Sequence, residues 1–179
     1  MKSISLLILS AALASSALAG TTPTDSGKSG KGVMPVITTG CECFAPGFAL
    51  GVFGGGMFPR HGDNGVAGGG VLGEYFFTEY FGIQGTYGVF ATSTEHHQFD
   101  GSLILRVPIK SLCIAPYIMA GGGVSTNSST ESSYHAGAGI EARFESLSCM
   151  GLFADGAYHF ATDDGADFTI ARMGVKFRF

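Results

Sequence analysis

The strongest constraint in this chain is a two-residue rhythm, clearest across residues 168–179. Every second residue there gives Thr169, Ala171, Met173, Val175, Phe177 and Phe179; the interleaved set is Phe168, Ile170, Arg172, Gly174, Lys176 and Arg178. Successive side chains of a strand point to opposite faces, so from Arg172 onward one face is apolar and the other is basic or glycine. A strand with lipid on one side and a polar lumen on the other has this composition.

The same rhythm recurs upstream. Alternating segments are predicted at 44–56, 66–77, 80–91, 98–107, 112–123, 133–144, 149–160 and 168–179, each bounded by turn residues. In the first, Phe44, Pro46, Phe48, Leu50 and Val52 form one row against the small residues Ala45, Gly47, Ala49 and Gly51. In the fifth, Ile114, Pro116 and Ile118 oppose Tyr117 and Met119, and the pattern leaves open which row faces outward. About eight strands of about ten residues match the length a tilted strand needs to cross a bilayer. Connections after the second, fourth and sixth segments read as short turns, and the others, such as 124–132, as longer polar loops. The expectation is an all-β fold: an eight-stranded antiparallel up-and-down transmembrane β-barrel, its last strand closing on its first because an open edge finds no partner in lipid. A water-soluble calyx would share the strand count but turn its apolar rows inward. The glycine runs at 54–56, 68–70 and 121–123 lead into no helix, so they read as points of strand curvature and not as phosphate loops.

Ahead of the first segment, Met1-Lys2-Ser3, an apolar run over 4–13 and Ala17-Leu18-Ala19 make a secretory signal peptide over 1–19, cleaved after Ala19. The apolar run is too short to span a bilayer. Residues 20–43 are polar and glycine-rich and read as a flexible periplasmic arm; 44–179 is the barrel. The formal net charge is -4, and loss of Lys2 with the signal makes it more negative, which argues against a nucleic-acid partner. No other stretch is long and apolar enough for a membrane helix, so contact with a membrane must be made by a closed barrel.

Several stretches resemble OmpA-like outer-membrane β-barrel domains. Tyr75-Phe76-Phe77 followed by Phe81-Gly82-Ile83-Gln84-Gly85 is similar to their second hairpin. Ala115-Pro116-Tyr117-Ile118-Met119-Ala120-Gly121-Gly122-Gly123 resembles their Pro-Tyr-x-x-Ala-Gly-x-Gly strand. Gly137-Ala138-Gly139-Ile140-Glu141 and Met173-Gly174-Val175-Lys176-Phe177-Arg178-Phe179 are similar to later strands. The resemblance covers 44–179. It implies a bacterial cell outer membrane location, outer-membrane lipid around the barrel, and an assembly signal at Phe177 and Phe179 read by the barrel-assembly machinery. The peptidoglycan-binding domain of some members has no counterpart here, so no cell-wall anchoring is carried over. Because the family is diverse, the likeness speaks to architecture more than activity.

Parity turns Glu74, Asp100, Glu141 and Asp155 inward, with Arg106, Arg143, Arg172, Lys176 and Arg178. In a lumen just wide enough for its own side chains, such charges are expected to pair and fill the space. The alternative is a narrow path for small solutes. Cys41, Cys43, Cys113 and Cys149 all fall near the periplasmic end, where an oxidising compartment favours disulfides. A Cys41–Cys43 ring would be very small, so each is expected to bond Cys113 or Cys149 and staple the arm across the mouth. His61, His96, His97, His135 and His159 fall toward the other end with Asp63, Glu95, Glu131, Asp163, Asp164 and Asp167. They read as solvated rim residues, with a surface zinc or copper site as the competing reading. Thr92-Ser93-Thr94-Glu95-His96-His97 and Ser132-Ser133-Tyr134-His135 offer no nucleophile elbow, so no enzyme and no cofactor are expected. The expected role is structural or surface-interacting, as a monomer; adhesion through the loops is a further alternative.

Overall fold

The structure is a computed structural model that describes residues 42–60, 65–92, 95–126, 130–144, 147, 150–162 and 166–179. The signal peptide, the arm up to Cys41, and His61, Asp63, Cys149, Asp163 and Asp164 lie outside the described residues. The strands are β1 (Gly47–Pro59), β2 (Val66–Phe76), β3 (Phe81–Phe90), β4 (His96–Arg106), β5 (Ile114–Thr126), β6 (Thr130–Phe144), β7 (Met150–Ala161) and β8 (Phe168–Arg178). Each pairs antiparallel with the next, and β8 returns to β1 through pairs such as Leu50↔Phe177 and Val52↔Val175, closing the barrel. Glu42 and Phe179 lie at one end, here the near end; the β1–β2, β3–β4, β5–β6 and β7–β8 connections lie at the far end.

The apolar rows face outward. Leu103, Ile118 and Met173 are 56%, 59% and 68% exposed, which excludes the calyx arrangement. In β5 it is Ile118 that faces out, while Tyr117 and Met119 are buried. On the outer surface Gly73, Gly85, Gly101 and Gly122 are successive register partners across β2 to β5. Without side chains they leave an apolar groove of about 910 Å³ beside Val71, Tyr87, Phe99 and Val124.

Three expectations change. First, β1 begins at Gly47, not at Phe44, and Phe44 is buried inside the barrel instead of sharing the outward row. Gly47 has φ +142°, a conformation open to glycine, and this bend turns 42–46 back under the barrel. Second, the connections do not alternate in length. β5 and β6 run on to a Thr126↔Thr130 pair, so 124–132 is mostly strand, while 107–113 between β4 and β5 is the longer connection. Ser and Thr are compatible with strands as well as loops, and paired backbone groups outweigh their turn preference. Third, the inner face is not simply polar: Phe53, Leu72, Phe76, Ile104, Met119 and Phe153 are buried there. A lumen this narrow must be filled by side chains, and apolar ones leave no polar atom unsatisfied.

Candidate functional site

The interior is layered from the near end to the far end. At the near end the Cys43–Cys113 disulfide, Phe44 and Ala115 form one buried cluster. Cys113, with φ +49°, ends the β4–β5 turn in the left-handed region, where its N–H reaches Lys110 O at 3.3 Å. Arg106 lies 3.5 Å from the centre of the Phe76 ring and 5.1 Å from that of Phe44, and its Nη2 donates to Phe44 O at 3.0 Å. Arg178 donates to Pro46 O at 2.6 Å and Glu42 O at 3.1 Å. The chain ahead of β1 is thereby held across the mouth by a covalent bond, two arginines and a buried ring. The expected staple joins Cys43 to Cys113; Cys41 and Cys149 are not described.

Above this lies an ion-pair layer drawn from β2, β6 and β8. Lys176 Nζ is 2.7 Å from Glu74 Oε2 and 3.2 Å from Glu141 Oε2. Arg143 Nε donates to Glu141 Oε1 at 2.6 Å and its Nη2 lies 3.8 Å from Glu74. All four are buried. Two acids and two bases balance, as burial of charge requires. The next layer is neutral too: Arg172 makes a two-pronged contact to Asp155 at 2.7 and 3.0 Å, and Tyr117 donates to Asp155 Oδ2 at 2.8 Å.

A third polar layer joins Asp100 on β4, His135 on β6 and His159 on β7. The Nδ1 atoms of His135 and His159 stand 3.8 and 3.9 Å from Asp100 Oδ1. Asp100 Oδ1 also accepts from Gln98 Nε2 at 2.6 Å, and Oδ2 from Thr86 Oγ1 at 3.4 Å. Ser102 Oγ is 2.8 Å from His135 Nε2. His159 stacks on Phe168, centroids 4.6 Å apart and planes 9° from parallel. A cluster of Met57, Phe90, Phe168 and Ile170 closes the far end.

The rim reading of the histidines is therefore corrected. His135 and His159 are lumen residues, 5% and 2% exposed, not solvated loop residues. Both fall within the expected segments 133–144 and 149–160 and share the inward parity of Glu141, Arg143 and Asp155; the inward side chains at the far ends of these strands are buried, not solvated. His96 and His97 are half-buried members of β4, with His97 Nδ1 2.9 Å from the Tyr87 hydroxyl. At the exposed rim, Asp167 joins Tyr158 OH (2.9 Å), Ala161 N–H (3.2 Å) and Arg60 (3.3 Å). The Tyr158 hydrogen bond, with Ala161 and Arg60, holds its carboxyl below the ordinary carboxylate range. At the other end Phe179 N–H donates to Phe48 O at 3.0 Å, and the two rings sit 6.4 Å apart on the outer surface near Phe177.

No family model and no curated protein matches this sequence. Solved structures match its fold. The N-terminal β-barrel domain of Pseudomonas aeruginosa OprF gives a TM-score of 0.59 at 17% identity, over 75% of this chain and 99% of that one. Neisserial surface protein A gives 0.60 at 14% identity, over 74% and 97%. Ail, the attachment invasion locus protein of Yersinia pestis, gives 0.51 at 13%, over 75% and 97%. The chain has the fold of the small OmpA-like outer-membrane barrels. At such identities the likeness is one of fold alone.

Proposed function

We propose that this chain is a monomeric, non-catalytic bacterial outer-membrane barrel with a sealed lumen, which serves the envelope in a structural or surface-interaction role. The observation that carries this reading is the continuity of the filling. Phe44, Lys176, Glu74, Glu141, Gln98 and Phe90 are each 2% exposed or less, and together they occupy the lumen from its near end to its far end. Charge balance argues in the same direction. A conducting path needs sites that an ion can enter and leave, whereas Glu74 and Glu141 are already neutralised by Lys176 and Arg143 at bonding distance. The exposed apolar rows supply the lipid contact, and secretion through the signal peptide at 1–19 followed by the barrel-assembly machinery supplies the route. With the near end toward the periplasm, the far-end connections face the outside.

Two measurements test this. Fractionation combined with heat-modifiable gel mobility should place a folded barrel in the outer membrane. In planar bilayers the purified protein should be electrically silent; steady unitary openings would overturn the sealed lumen and favour a narrow solute channel.

A further inference from the structure

We propose that Asp100, His135 and His159 bind one divalent transition-metal ion of the zinc class inside the lumen. Three strands bring one donor atom of each residue within 4.8 Å of the others. Donors sharing a zinc ion at about 2.1 Å stand no more than about 4.2 Å apart. The two His–Asp separations of 3.8 and 3.9 Å already satisfy this, and small side-chain rotations bring in the third.

Four independent features point to a cation. Nδ1 of His135 and Nδ1 of His159 are buried with no hydrogen-bond partner, on side chains only 2% and 3% exposed. A buried imidazole nitrogen without a partner is costly, and a metal would satisfy both at once. Asp100 is the second feature. Among the described residues, Glu74, Glu141 and Asp155 each have a Lys or Arg within ion-pair distance, while Asp100 has only the two imidazoles. A cation supplies the missing countercharge.

The third feature is orientation. Ser102 Oγ engages His135 Nε2, which leaves Nδ1 turned toward Asp100, the kind of outer-shell hydrogen bond that fixes a metal-bound imidazole. Phe168 stacks flat on His159 and limits its rotation. The fourth is room. A cavity of about 10 Å³ lies among these side chains, Ser102 and Arg172, the space of roughly one small sphere. A side chain at Gly123 would collide with the Asp100 carboxylate that borders it. Arg172 also faces the cavity, but its guanidinium is committed to Asp155. Two nitrogens and one carboxylate oxygen suit zinc, with nickel and copper as chemical neighbours. Phe168 and Ile170 of the far-end apolar cluster border the site, so the test supplies the ion while the barrel folds.

The full chain, purified in detergent, is unfolded in urea and refolded with zinc chloride or with chelator, then desalted. Elemental analysis should find one retained zinc per chain. Asp100→Asn and His159→Gln should weaken zinc affinity by more than tenfold, and Ser102→Ala by roughly tenfold. A His96→Gln/His97→Gln double variant should retain the metal. Absence of retained zinc, zinc retained in His135→Gln/His159→Gln, or zinc lost in the His96/His97 variant would each overturn the proposal, the last pointing to a surface chelate. Should the lumen variants fail the gel-mobility test of folding, the unmutated protein labelled with ¹⁵N-histidine decides. Zinc must shift the Nδ1 resonances of two buried imidazoles; unshifted resonances mean that a shared proton, not a metal, serves Asp100.

Discussion

Lys176→Met isolates the charge layer. Lys176 is 1% exposed, with Glu74 and Glu141 at 2.7 and 3.2 Å. Glu74 and Glu141 carry −2 and Lys176 and Arg143 carry +2, so these four sum to zero, with the buried Arg106 adding a positive charge beyond ion-pair distance. Met fills a similar volume and removes one positive charge, which leaves −1 among the paired groups, offset only in part by Arg106 from longer range. Breaking a buried pair by removing one partner costs about 3–5 kcal/mol, because the remaining charge keeps its desolvation penalty. Gln84 Nε2 still reaches Glu74 at 3.4 Å, and Arg143 still faces both acids, so the lower part of that range, about 3 kcal/mol, is expected. Glu74→Gln in the same chain removes the charge that Lys176 had balanced. Arg143 keeps Glu141 at 2.6 Å, and the remaining pair is neutral. The double variant should therefore be more stable than Lys176→Met alone, with a coupling of about 2 kcal/mol between the sites. The chain has no Trp, so urea unfolding in micelles is followed by circular dichroism and gel mobility, with linear extrapolation. If the two single losses simply add, within about 0.5 kcal/mol, the charge-balance reasoning is wrong.

Cys113→Ser opens the disulfide that spans a sequence separation of 70, worth about 4 kcal/mol by the chain-entropy account, and should lower the urea midpoint; an unchanged midpoint would show that the mouth is held without it. Asp167 has a folded pKa below its unfolded value, so its stabilising contribution is complete above the ordinary carboxylate pKa and is lost as pH falls through the lowered value. Stability profiles of the protein and of Asp167→Asn should accordingly differ at neutral pH and converge in acid; a gap that widens in acid would contradict the assignment. Gly85→Ala, where an added Cβ meets nothing within 4 Å, should change stability by less than about 0.5 kcal/mol, whereas Gly121→Ala drives a Cβ into the Gly101 carbonyl and should cost about 1–3 kcal/mol by the same unfolding assay. Phe179→Ala should lower outer-membrane levels of the folded barrel more than changes in the far-end connections do; normal levels in fractionated cells would count against a terminal assembly signal.

The inward or outward face of Asp100, Glu141, Arg143, Asp155, Arg172 and Lys176 could be read from parity alone, because alternation is a local property of an extended backbone. Strand number and closure followed from the same pattern and from the impossibility of an open edge in lipid. Where strands stop was less legible. Ser and Thr at 130–133 satisfy both a loop and a strand, and the choice was made by pairing with β5.

Local alternation could not say which inward residues meet. Asp100 and His135 are on β4 and β6, with β5 between them, and Lys176 on β8 reaches Glu74 on β2 and Glu141 on β6. Such contacts cross the lumen or skip a strand, so they depend on stagger and radius, properties of the closed barrel and of no single segment. Phe44 shows the same limit. Its parity put it outside, but the bend at Gly47 and the covalent link from Cys43 to Cys113 put it inside. The sequence by itself therefore determined the two faces of the wall and its number of strands. Only the tertiary structure decided what fills it, because the depth and angular position of each inward side chain are set when the last strand pairs with the first.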